Sequence, residues 1–258
     1  MLDRFSKAKA EEILRLKDLK HNGTFPAPWP GKRPSLEKVL RTQGPGAVIA
    51  EYKRASPSHG EINLKLGPRE IGQAYKAGGA SALSVLTEEK FFKGSVEYLF
   101  QLHDLGLTLL RKDFIIHPLQ VEQTAATPAS ALLLIVRMFS DPVRLEELHR
   151  LALTFGLEAV FEIFTPEELK IAREAGARII QVNNRDLSTL KVDLALSEKL
   201  IGKKKKHEVW ISASGISKPE QVKKLRQLGF EGLLIGASLM GSSDPGKLLG
   251  ALVGTLER

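Results

Sequence analysis

The sequence contains no cysteine. That removes disulfides, thiol nucleophiles and thiolate metal sites together. It also lacks any apolar run approaching the roughly 18 residues that a membrane-crossing helix requires. The apolar run 131–136 instead suits a buried strand. The opening residues, MLDRFSKAKAEEIL, contain acidic side chains and no apolar stretch before a cleavage site, so no secretory signal is expected and the cytoplasm is the expected location. His59, His103, His117, His149 and His207 are scattered without ligand spacing. No metal and no other cofactor is expected.

What the chain does have is a basic balance, with a formal net charge of +8. Such a balance suits nucleic acid or an anionic small molecule. The densest basic run, 203–206, has no aromatic residues interleaved, and no zinc-finger or helix-turn-helix pattern accompanies it. It reads as a solvated loop, which leaves an anionic small substrate as the expected partner, with neither nucleic acid nor membrane.

The order of elements carries more information. Up to about residue 20, Phe5, Ile13, Leu16 and Leu19 recur at helical spacing. A proline-rich connector, FPAPWPGKRPS, follows, and Ser35 is placed to cap a short helix. Beyond residue 46, strand-like runs at 48–53, 82–86, 107–112, 131–136, 158–162, 178–183, 208–213 and 232–236 alternate with helix-like runs. The latter are 70–77, 96–102, 119–126, 143–155, 167–175, 194–200, 220–228 and 246–256. Alternation of this kind predicts a parallel sheet covered by helices, and eight unbroken pairs favour a closed (β/α)8 barrel. An open doubly wound sheet would often carry GxGxxG after its first strand, where this chain reads KRASPSHG. The expected organisation is one barrel domain over 1–258, with 1–45 as a helical extension and connector.

Barrel enzymes work at the carboxyl ends of their strands. Glu51 and Lys53 share one face of the first strand, and burying both charges under helices would be costly, so they are expected to point into the mouth. Lys112 ends the third strand and Glu162 the fifth, and Asn183 and Arg185 lie where the sixth ends. Lysines and carboxylates at one mouth can supply a proton donor and a proton acceptor. The seventh and eighth strands run into Ser214-Gly215 and Gly236-Ala237-Ser238, where barrels commonly hold phosphate. The loop after the first strand, with Ser56 and Gly60, suits a lid over an anion.

The segments VIAEYKRASPS, SVLTEEKFFKGS, LLRKDFII, VNNRDL, SGIS and LLIGASLM resemble the signature segments of the indole-3-glycerol-phosphate synthase family. The resemblance runs from about Leu40 to the C-terminus. Phosphoribosylanthranilate isomerase shares that fold and phosphate site but not the first or third of these segments. The resemblance implies ring closure, decarboxylation and dehydration of 1-(2-carboxyphenylamino)-1-deoxyribulose 5-phosphate, a step of tryptophan biosynthesis. It implies Lys112 as general acid, Lys53 beside the substrate carboxylate, Glu162 as acid/base of the dehydration, Glu51 orienting the lysines and Asn183 positioning the substrate. Phe114 and Phe91 or Phe92 would pack on the anthranilate ring, and Arg185 would shape the mouth. Ser56, Ser214, Gly215, Gly236, Ala237 and Ser238 would hold the phosphate.

The chain departs from the family pattern at four places. Ala213 stands where the family has Glu before Ser-Gly, and His117 where it has Asp. Ile163-Phe164 replaces Val-His, and Arg137-Met138-Phe139 follows the fourth strand where small or aliphatic residues are usual. The alternatives are another isomerase or aldolase on the same barrel, or a synthase-like barrel with altered activity. A monomer or weak homodimer is expected.

Overall fold

Eight parallel strands follow one another around a closed sheet, each hydrogen-bonded to its neighbours in chain order and the last to the first. They are β1 (Ala47–Tyr52), β2 (Ala82–Leu86), β3 (Thr108–Lys112), β4 (Ala131–Ile135), β5 (Glu158–Ile163), β6 (Ile179–Asn183), β7 (Val209–Ala213) and β8 (Gly232–Ile235). Closure joins β1 to β8 with Ala47 opposite Gly232, and β1 to β2 with Ile49 opposite Ala82. This is the expected (β/α)8 barrel. The computed structural model describes residues 2–186 and 189–254. Leu187 of the VNNRDL segment and positions 255–256 of the last predicted helix lie outside the described residues.

Period-two alternation divides the apolar side chains into two cores. Ile49, Leu110, Leu133, Val160, Ile179, Ile211 and Leu234 fill the barrel axis. Val48, Leu83, Leu109, Leu132, Phe161, Ile180, Trp210 and Leu233 face the surrounding helices. Each fully buried leucine or isoleucine contributes about 2 kcal/mol. The helices are α1 (Leu2–His21), α2 (Leu36–Gln43), α3 (Pro68–Ala77), α4 (Glu89–Phe92), α5 (Glu97–Leu102), α6 (Pro118–Ala125), α7 (Pro142–Thr154), α8 (Pro166–Glu174), α9 (Ala195–Ile201), α10 (Pro219–Gln227), α11 (Ala237–Met240) and α12 (Pro245–Val253). Six of them, α3, α6, α7, α8, α10 and α12, carry proline in the first turn, where its missing N–H removes no helical bond.

The bottom of the barrel is closed by α2. Ser35 caps it, accepting from the Lys38 N–H. A further acceptor at this helix start comes from another element. Glu158, the first residue of β5, accepts from the Leu36 N–H at 2.5 Å and from the Ser35 hydroxyl at 2.5 Å. Leu36 and Leu40, both fully buried, then plug the axis. The 203–206 run is less solvated than expected, since Lys204 pairs with Glu231 and donates to the Gly229 carbonyl.

The N-terminal helix α1 is held by charge. Lys9 is 2% exposed and lies 2.5 Å from both Asp113 and Glu12. Arg111, fully buried, pairs with Asp113 at 3.2 Å and Glu12 at 3.3 Å. Its remaining N–H groups donate to Thr87, Thr124 and the Gln120 carbonyl. Two cations and two carboxylates are thus buried together with their donors satisfied. Burial alone would raise the Asp113 carboxyl, but Lys9 and Arg111 outweigh it and hold its pKa at about 2. Burial would lower Lys9, yet Asp113 and Glu12 raise it above the ordinary lysine value.

A carboxyl depressed below its unfolded value contributes stability that is complete above that value and lost as pH falls through the folded one. Urea titrations are therefore expected to show about 2 kcal/mol of wild-type stability draining away between about pH 5 and pH 2 on account of Asp113, a component absent from Asp113→Asn. Lys9→Met, which leaves the buried group with one uncompensated negative charge, is expected to cost about 3 kcal/mol at neutral pH.

Candidate active site

At the carboxyl end of the barrel lies a cavity of about 360 Å³. Glu51, Lys53, Lys112, Glu162 and Asn183 all line it, brought together from β1, β3, β5 and β6. Glu51 is 3% exposed and lies at the centre of the charged group. Its Oε1 is 2.9 Å from Lys53 Nζ, and its Oε2 is 3.9 Å from Lys112 Nζ and accepts from Ser84 at 3.4 Å. Lys112 Nζ stands equally far, 3.9 Å, from Glu162 Oε2. Lys112 is thus held between two carboxylates at ion-pair distance and in hydrogen-bond contact with neither. Burial pushes the Glu51 carboxyl up, but Lys53 and Lys112 outweigh it and hold it below the usual carboxylate range.

The rest of the lining is backbone-rich. Ser214, Gly215, Gly236, Ala237 and Ser238 line the cavity, as do Ser56 and Arg185. Ser214 and Gly215 both adopt left-handed backbone, φ 72° and 83°. Asn184 holds this turn in place, donating to the Ser212 hydroxyl and the Ala213 and Ser214 carbonyls and accepting from Ser197. Gly236 is required by close approach, because a Cβ there would fall 2.3 Å from Glu51 Oε1. Consecutive N–H groups in such turns form a concave anion site. Arg185 is partly buried, which lowers its pKa against the pull of Glu51, and it donates to the Leu190 carbonyl. Three cations, Lys53, Lys112 and Arg185, face two carboxylates, so the cup suits an anionic guest.

The loop after β1 is a short antiparallel hairpin, Ala55–Ser56 against Gly60–Glu61, which buries Ser56. His59, read from sequence as a bland histidine, also lines the cavity, with Nδ1 2.8 Å from the Ser58 hydroxyl and 3.3 Å from that of Ser56. Burial, Arg185 and Lys53 lower its pKa.

The aromatic side differs from expectation. Phe92 and Phe114 line the cavity, but Phe91 does not. Phe91 stands one ring back, edge-on to Phe5 at 5.2 Å and beneath Arg4. The ring missed by sequence reasoning is Phe5 of α1, stacked on Phe114 at 4.1 Å and lining the cavity. Its place on a helical apolar stripe gave no sign of this. Glu88 organises the same wall, accepting from the N–H groups of Lys90, Phe91 and Phe92.

Three departures from the family pattern prove to be packing. Arg137 lies over the Phe164 ring at 3.5 Å while pairing with Glu168 at 2.8 Å, so two of them form one contact. His117 caps α6, its Nδ1 accepting from the Leu119 N–H. Ala213 lines the cavity.

A closed parallel barrel with a lysine–carboxylate cup at its mouth defines a (β/α)8-barrel enzyme. Residues 2–252 match the family model described as indole-3-glycerol phosphate synthase. A relative of that name from Aquifex aeolicus is 45% identical over 222 residues, covering 85% of each chain. Another, from Desulforamulus reducens, is 37% identical over 258 residues, covering 98% of this chain and 97% of its own. The chain belongs to the indole-3-glycerol phosphate synthase family. Among solved structures, 3-hexulose-6-phosphate synthase from Salmonella typhimurium matches with TM-score 0.65 at 15% identity, covering 82% of this chain and 98% of that one. Tryptophan synthase subunit alpha from Legionella pneumophila matches with TM-score 0.63 at 12% identity, covering 86% and 97%. At those identities the likeness is one of fold. Among the described residues no helix is long and apolar enough to cross a membrane, and no group of three or more metal-binding side chains occurs.

Gly236→Ala is expected to displace Glu51 from Lys53 and lower kcat/KM about 100-fold, with the far-ultraviolet circular dichroism of the wild type retained.

Proposed function

We propose that this chain converts 1-(2-carboxyphenylamino)-1-deoxyribulose 5-phosphate to indole-3-glycerol phosphate, carbon dioxide and water. The observation that carries this reading is one cavity lined both by Lys53, Lys112, Glu51 and Glu162 and by the Ser214-Gly215 and Gly236-Ala237-Ser238 turns.

In this reading the phosphate sits on the backbone-rich wall with Ser56 and Arg185, and the anthranilate ring lies against Phe92, Phe114 and Phe5. Lys53 faces the substrate carboxylate. Holding the ring carbon against the ketone converts the attack into a unimolecular step. As the carbon–carbon bond forms, the Lys112 ammonium protonates the ketone oxygen. Loss of carbon dioxide then returns its electron pair to the ring. The new hydroxyl leaves as water, with Glu162 moving the proton. Glu51 fixes both lysines, and Asn183 contacts the substrate hydroxyls. The chain is read as one barrel domain with its N-terminal extension, a monomer or weak homodimer of the cytoplasm.

The test is indole fluorescence on adding the substrate to purified protein. A rise is expected, reduced about a thousandfold in rate by Lys112→Ala. No rise with the substrate still bound would transfer attention to Ala213, and no binding at all would sink the reading. Inorganic phosphate is expected to inhibit competitively, and more weakly in Ser56→Ala, which removes a hydroxyl from the proposed phosphate site.

A further inference from the structure

Glu162 has one hydrogen-bond partner among the described side chains, and it belongs to none of the residues considered so far. Gln181, fully buried on β6, donates from Nε2 to Glu162 Oε2 at 2.5 Å. The two residues are opposite each other in the β5–β6 ladder. Gln181 does not line the cavity, and its Oε1, also buried, has no hydrogen-bond partner. A buried amide with one end unpaired is costly, so burial alone gives no reason for glutamine at this point of the axis. The orientation of the amide follows from its neighbour, since the reverse would set its oxygen against a carboxylate oxygen.

We propose that Gln181 is a positioning residue for the reaction, pinning Glu162 Oε2 so that Oε1 is the oxygen that exchanges protons with the substrate. This rests on the functional reading above, in which Glu162 is the acid/base of the dehydration. The charged groups around the pair are few. Lys112 from β3 lies 3.9 Å from the same Oε2, and Glu51 from β1 lies beyond it, 3.9 Å from Lys112. From β7, Ile211 opposite Gln181 and Ala213 opposite Asn183 are apolar. With alanine at 213, no further side chain from that strand can hold the carboxylate. Lys112 is too distant to fix its rotation, so the amide alone does so.

Two near-isosteric variants test this, each compared with wild type for kcat and KM between about pH 5.5 and 8.5. Gln181→Met fills the same space without a donor. It is expected to lower kcat at least tenfold across that range while KM changes less than threefold, because the substrate-binding walls are untouched. Gln181→Glu carries a donor only while protonated. It is expected to work best at the acidic end and to lose kcat as pH rises, as the second carboxylate ionises against Glu162, a decline that wild type lacks. A merely structural role would lower the folded fraction, followed by circular dichroism at each pH, but leave kcat per folded molecule with the wild-type profile. If Gln181→Met does not fold, the profile of Gln181→Glu decides. The proposal is overturned if wild type turns over and either Gln181→Met keeps kcat within twofold or Gln181→Glu follows the wild-type profile. A wild-type chain without turnover overturns the functional reading, and the proposal with it.

Discussion

The structure depends on a single tripeptide that faces two ways. On β3 and just past it, Arg111, Lys112 and Asp113 alternate across the sheet. Lys112 enters the cavity, while Arg111 and Asp113 turn outward into a buried group with Lys9 and Glu12 of α1. The charges that fix the strand end from outside also anchor the helix that carries Phe5 into the cavity wall. The position of Lys112 between its two carboxylates is therefore set from both faces of the sheet. Charge pairing of this quality is costly to break and contributes directional constraint that apolar packing does not.

The fold was legible because its signals are local and repeated. Eight short apolar runs, each ended by turn residues and followed by a helical pattern, leave little choice once parallel pairing and right-handed crossovers are assumed. The inward direction of Glu51 and Lys53 was legible too, from the cost of burying charge under helices. Arg111 shows the limit of that argument. It is a charged side chain in the helix layer, tolerated because Glu12, Asp113, Thr87 and Thr124 satisfy it. Its partners lie on three other elements, and no spacing rule connects them. Phe5 was hidden for the same reason, since an apolar residue on an amphipathic helix carries no mark of what it will stack on. Gln181 was hidden because alternation only says that it faces the axis.

Departures from a family pattern gain meaning once they are located. Arg137 and Phe164 look like two separate losses in sequence, yet they are halves of one stacked contact beside the mouth. His117 replaces one capping acceptor by another, an imidazole nitrogen for a carboxylate. Ala213 is of a different kind, because it faces the cavity and removes a charge from it. It leaves a cup with more cations than carboxylates, in which the orientation of the remaining carboxylates depends on fewer neighbours.

The aromatic wall also has a history within each molecule. The groups that join α1 to the end of β3 are about a hundred positions apart, 99 between Glu12 and Arg111. Closing so long a loop carries an entropic cost that no local contact offsets. During synthesis α1 is made well before its acceptor, and an amphipathic helix bearing Lys9 and Phe5 must wait while three strands are added. The aromatic wall is therefore complete only once α1 has closed onto the end of β3, and a barrel with α1 undocked would lack the Phe5 side of its place for an aromatic guest.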